Sequence, residues 1–179
     1  MDFQDIGNDM RTVLHTERLR LEPFDEVHFV GLLALNSDAA VMRYLGDGSP
    51  ATPEEVQHSI DTSKAQWDRL GFSWWAFVRS DDGELIGAGC VQHIENEPAN
   101  PVEVGWRLKR AYWGRGYATE AARAMIEFAF EELGIASIFA TTHPANVKSI
   151  NVMKRLGMRS VGLKPYYGTL AATYVLDRP

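Results

Sequence analysis

The segment Val102 to Leu133 restricts the fold most: a strand pattern ends at Lys109, a glycine-bearing turn follows, and a long helical pattern starts near Tyr117. Ala118, Ala122, Met125, Ala129 and Leu133 recur at helical spacing, and Gly134 is a natural stop. A strand that turns straight into an amphipathic helix must bury both against one core, which selects a layered architecture of sheet and helices. Gly114 and Gly116 let successive amides face one point at the positive end of the helix, so the turn is a candidate anion site. It is neither a P-loop nor a dinucleotide fingerprint. No Gly-Lys-Ser/Thr ending is present, G-x-G-x-x-G is incomplete, and the strand follows a hairpin pattern instead of opening a βαβ unit.

The other elements have their own signals. Leu19 and Leu21 alternate with charged residues in a strand stopped by Pro23, and Asp25 can cap a helix to about Leu35, with Phe24 and Phe29 as a hydrophobic staple. Thr52-Pro53-Glu54-Glu55 is a capping box with proline at the first helical position, predicting a helix to Leu70 ended by Gly71. Phe72 to Arg79 and Glu84 to Gln92 read as a hairpin about Asp81-Asp82-Gly83. Ile135 to Thr142 reads as a strand, Asn146 to Leu156 as a helix closed by Gly157, and Thr169 to Leu176 as a last strand. The predicted order is β-α-α-β-β-β-α-β-α-β-β, an α/β or α+β sheet flanked by helices.

A chain of 179 residues is long enough for one good core and short for two domains, so residues 1–179 are expected to form a single domain, with 1–14 a flexible or peripheral segment. The net charge of -6 argues against a nucleic-acid surface and suits a cationic acceptor such as an amine. No apolar run approaches the roughly 18 residues of a membrane helix and no signal-peptide core is present, so a cytoplasmic location is expected. Cys90 lies in an apolar stretch and is expected to be a buried thiol, and the five histidines are scattered, which argues against a metal site.

Tyr112-Trp113-Gly114-Arg115-Gly116-Tyr117-Ala118-Thr119-Glu120-Ala121 resembles the acetyl-CoA motif of the GNAT acyltransferases, in the form used by the RimJ/RimL-like branch. Thr16 to Leu21 looks like that branch's first strand, Glu103-Val104-Gly105-Trp106 like its central strand, and Asn146 to Met158 like the second cofactor motif. The resemblance implies a mixed, mostly antiparallel, splayed sheet and an N-acetyltransferase moving an acetyl group from acetyl-CoA to an amine, either a protein N-terminus or a small molecule, as a monomer or homodimer. It further implies that backbone near Leu108 and Arg110 pairs with pantetheine, and that amides from Gly114 through Arg115, Gly116, Tyr117 and Ala118 to Thr119 hold the pyrophosphate. Asn146 would bond the arm farther along, with Ser149 nearby. The acceptor pocket would be walled by the first two helices, the loop Tyr44 to Pro50 and the loop Tyr166-Tyr167-Gly168.

Each role has a plainer alternative. Asn146 can be a helix cap, Arg115 an exposed charge, Trp106 and Trp113 packing residues, and Glu103 half of a surface ion pair. Many family members carry a tyrosine general acid where this chain has Met153, which holds no proton. Glu103 is the candidate base, directly or through water, and Ser149 a candidate donor to the leaving sulfur. A non-catalytic acyl-CoA-binding module is the rival reading, and a nucleotide-phosphate binder a third.

Overall fold

The computed structural model describes residues 11–179. Eight strands form one open sheet: β1 Leu14–His15, β2 Leu19–Pro23, β3 Trp74–Arg79, β4 Leu85–His93, β5 Val102–Leu108, β6 Ser137–Thr142, β7 Arg159–Tyr166 and β8 Thr169–Asp177. Their order is β1-β2-β3-β4-β5-β6-β8-β7, antiparallel throughout except where β5 meets β6. Five helices cover it: α1 Phe29–Asn36, α2 Ala39–Met42, α3 Pro53–Leu70, α4 Tyr117–Glu131 and α5 Val147–Arg155. The expected order holds, with two additions, the two-residue β1 and the single-turn α2, both too short to leave a periodic signal.

Local chemistry explains the boundaries. The Thr52 hydroxyl accepts from the Glu55 amide at 3.2 Å, the Glu55 carboxylate accepts from the Thr52 amide at 2.7 Å, and Gly71 closes α3 at φ 76°. Asp25 behaves differently from expectation. It caps a 3₁₀ turn, Glu26–His28, in which His28 Nδ1 accepts from the Asp25 amide, and the α-helix proper begins only at Phe29. Phe24 and Phe29 nonetheless pack into one cluster. Residues 1–10 of the expected peripheral segment lie outside the described residues; Leu14 and His15 pair with β2, and the Thr12 carbonyl accepts from the Trp75 indole at 2.8 Å.

The main core lies between the sheet and α4. Ala121, Ala122, Met125 and Ala129 are fully buried there with Phe77, Ile86, Trp67 and Trp75. Gly89 on β4 leaves no room for a side chain, because a Cβ there would lie 2.4 Å from the Phe77 ring, 2.7 Å from the Gly105 carbonyl and 2.8 Å from the Met125 methyl of α4. A second cluster, with Leu32 and Leu35 of α1, Val56 and Ile60 of α3, and Ala76, Val78 and Ala88 of the sheet, covers the opposite face. The sheet is thus a partition with helices on both sides.

Candidate active site

Strands β5 and β6 are parallel and pair at a single register, Glu103 opposite Phe139. Beyond it they diverge, because β5 stays bonded to β4 through Leu108 while β6 follows β8. The cleft is closed at Glu103 and opens toward the N-termini of α4 and α5, each of which follows one of the two strands. Two positive helix ends therefore face its mouth.

At the α4 mouth Gly114 and Gly116 adopt φ of 73° and 84°, left-handed values that turn successive amides one way. Gly116 is the N-cap and supplies no side-chain acceptor; the first intrahelical bond runs from the Glu120 amide to the Gly116 carbonyl. The amides of Tyr117, Ala118 and Thr119 precede that bond and so have no helical acceptor. The Thr119 hydroxyl oxygen is sealed from solvent and has no partner among the described residues. A buried hydroxyl without a partner costs about 1–3 kcal/mol, so an anionic ligand in this turn would satisfy a group that the protein leaves unsatisfied. The turn itself is braced from behind: the Arg18 guanidinium bonds Glu120 at 2.6–2.7 Å, donates to the Arg115 carbonyl at 3.0 Å and lies 4.1 Å over the Tyr117 ring. Arg115 is exposed, and Arg110 bonds Asp38 at 2.8 Å.

Trp113 packs between both cores and its indole donates to the Leu108 carbonyl at 2.7 Å, so that carbonyl keeps one lone pair for any further partner. On the other side of the mouth, Asn146 caps α5. Its carbonyl oxygen accepts from the Ser149 amide at 3.3 Å, and its amide donates to the Thr142 hydroxyl at 3.0 Å and the Ser149 hydroxyl at 3.1 Å. The Ser149 oxygen thus accepts and its proton remains to give. Lys148 lies 3.9 Å over the Trp113 ring and bridges the two lips.

At the closed end Glu103 is buried and, among the described residues, pairs with no cation, in place of the alternative of a surface ion pair. Its carboxylate accepts from the Thr141 hydroxyl at 2.8 Å, from the Gln92 amide at 3.1 Å and from the Tyr167 hydroxyl. Burial is the largest influence and raises the carboxyl above its usual range, against the lowering effect of these donors. Tyr167 is shifted upward too, by burial and then by the Glu103 charge. Tyr167 sits at φ 54° at the tip of the β7–β8 turn, held by its amide to Glu95 at 2.6 Å and by the Glu95 amide to its hydroxyl at 3.1 Å. Cys90 is buried and its thiol pushed well above its usual range by desolvation, as expected of a structural thiol. Met153 is a core residue, 1% exposed. Tyr44, in the expected acceptor wall, stacks on His143 at 5.3 Å and reaches the Ala145 carbonyl. Among the described residues no cluster of three or more His, Cys, Asp or Glu could hold a metal, and no helix is long and apolar enough to cross a membrane.

Gly114 to Thr119, Leu108, Asn146 and Ser149 are thus gathered at one cleft mouth, with Glu103 at the closed end. Sequence reasoning missed the hydroxyl of Thr119 and the direct bond of Tyr167 to Glu103. The second had a signal, since tyrosine before glycine in a predicted turn places an aromatic at a loop tip, but nothing local says what it meets.

The splayed parallel strand pair with an uncapped glycine turn at its mouth is the arrangement that the resemblance to GNAT acyltransferases implies, and comparison with known proteins agrees. Residues 18–159 match the model of the acetyltransferase (GNAT) domain, and the chain belongs to that family of acetyltransferases. A crystal structure of the acetyltransferase from Agrobacterium tumefaciens superposes with a TM-score of 0.80 at 28% identity, covering 93% of this chain and 95% of that one. RimL, a ribosomal L7/L12 α-N-protein acetyltransferase solved with coenzyme A, shares the fold at 18% identity and a TM-score of 0.76, covering 93% and 98%. The FsC-acetyl coenzyme A-N(2)-transacetylase of Aspergillus fumigatus is 34% identical over 155 residues, 83% of this chain and 65% of that longer protein.

Proposed function

We propose that this chain transfers the acetyl group of acetyl-CoA to an amine, either a protein N-terminal amine or a small-molecule amine, with Glu103 as general base. The observation that carries the reading is a buried carboxylate, paired with no cation among the described residues, at the register where β5 and β6 pair. When bound, acetyl-CoA supplies an activated acetyl carbon and a good leaving group. Its pyrophosphate suits the amides from Gly114 to Thr119 and the orphan Thr119 hydroxyl, and its arm suits the cleft past Leu108 and Asn146. Glu103 accepts the proton that the amine sheds as its nitrogen bonds to the acetyl carbon. Tyr167 and Thr141 hold the carboxylate in place, and Ser149 can donate to the departing sulfur.

Magnitudes favour this division of labour. A thiol of pKa about 8.5 leaves as thiolate at neutral pH at a cost of about 2 kcal/mol, so Met153 in place of an acid is tolerable. An α-amine near 7.8 costs about 1.1 kcal/mol to deprotonate at pH 7 and a lysine-type amine about 4.6, so the base matters more than the acid. The reading puts the enzyme's work in the cytoplasm, where free thiols such as Cys90 stay reduced, as a monomer or homodimer. CoA release with a panel of amines tests it. Tight acetyl-CoA binding with no release from any amine would instead make the chain a binding module.

A further inference from the structure

Arg107 follows Glu103 by four residues on β5, so both side chains leave the same face of the sheet, with Cα atoms about 13 Å apart. The residue between them on that face is Gly105, which leaves a floor without a side chain; a Cβ there would meet only the Cys90 sulfur, at 3.2 Å. Arg107 lies 4.6 Å over the Trp74 ring, and its Nε donates to Asn36 Oδ1 at 2.9 Å, at the end of α1. Asn36 in turn accepts the Ala51 amide at 2.9 Å, which ties the far end of the acceptor-wall loop to the same spot.

Among the described residues the guanidinium is held by Asn36 and Trp74 but neutralised by none. Of the half-buried arginines among the described residues, Arg11, Arg18, Arg20 and Arg79 each contact a carboxylate, whereas Arg107 contacts none. Among the described residues its two terminal nitrogens have no acceptor, and burial pushes the guanidinium down to about 10. A half-buried charge without a counter-ion is costly, and a planar fork with two free donors is the geometry that recognises a carboxylate.

We propose that Arg107 binds a carboxylate of the acceptor, so that the substrate is an acidic amine lying over Gly105 with its amine at Glu103. This rests on the acetyltransfer reading for the position of the amine, but carboxylate binding by Arg107 is separable from it. The protein's net negative charge points toward cationic acceptors; Arg107 selects among amines for those that also carry an acid.

The test uses ω-amino acids from β-alanine to 8-aminooctanoate and their primary amides. CoA release gives kcat/KM, and calorimetry in the presence of CoA gives binding. The wild type should favour the best-fitting acid over its amide by about tenfold or more, through KM, with a dependence on chain length set by the Glu103–Arg107 spacing. Arg107→Gln should bring the acid-to-amide ratio near one by lowering the value for the acid, and Arg107→Lys should restore part of it, with acetyl-CoA affinity serving as the check that both variants fold. Acid and amide bound equally by the wild type would overturn the proposal, as would an Arg107→Gln loss that falls equally on both. Acid-selective binding without any CoA release would support Arg107 and defeat the acetyltransfer reading instead.

Discussion

Replacing Glu103 by glutamine separates its chemistry from its structural role. The three donors to the carboxylate come from Tyr167, Gln92 and Thr141. In Glu103→Gln the new carbonyl oxygen can accept from Tyr167 and Gln92, and the new amide can donate to a rotated Thr141 hydroxyl, so the network closes again. Because burial raises the Glu103 carboxyl, the native state binds its proton more tightly than the unfolded chain does. Wild-type stability from this group is therefore greatest below the ordinary carboxylate range and declines as pH rises toward the folded pKa. Glu103→Gln removes that decline, and its melting temperature relative to wild type should be higher at pH 7 than at pH 4. Turnover should move the opposite way. Loss of the base should cost about 100-fold near neutral pH, at the lower end for general-base catalysis, and less as pH rises and the amine deprotonates unaided. Glu103→Ala, by contrast, leaves the donors without an acceptor and should cost about 1–3 kcal/mol as well as the rate. CoA release between about pH 6 and 9, with thermal melts from about pH 4 to 7, gives both readouts. A glutamine variant with wild-type turnover across the pH range of the release assay would refute the assignment and leave Glu103 a structural carboxylate.

Four further outcomes are expected. Thr119→Val replaces an orphan hydroxyl by a methyl of similar shape, so the free protein should be as stable as wild type or more so, while acetyl-CoA affinity by calorimetry falls about tenfold or more, the worth of a hydrogen bond to a charged group. Gly116→Val should weaken acetyl-CoA binding and, at φ 84°, cost a further 1–3 kcal/mol or so of stability, read from thermal melts. Asn146→Ala should lose about 1 kcal/mol as a helix cap; a rise in the acetyl-CoA Michaelis constant beyond that would show a cofactor contact as well. Tyr167→Phe removes a donor that lowers the Glu103 carboxyl, so the rising limb of the pH–rate profile should shift to higher pH.

Where a signal is local, the sequence carried it to the right place. The Thr52 capping box, the stop at Gly71, the α4 stripe from Ala118 to Ala129 and the Gly114-Arg115-Gly116 turn are each written within a few residues, because caps, φ preferences and helical period act over one or two turns, although α4 ends at Glu131, short of the expected Leu133. Resemblance along the chain then supplied the fold class and the candidate residues. What no window could decide is what meets what across the sheet. Glu103 lies 64 residues from Tyr167 and 38 from Thr141, and Arg107 lies 71 from Asn36, so their burial and partners exist only once β5, β6 and the β7–β8 turn are assembled. The same holds for Met153, whose place in the motif suggested a missing acid and whose place in the fold is core. The splay of β5 from β6 is likewise a tertiary matter, since it arises from each strand keeping its antiparallel neighbour while sharing one register with the other.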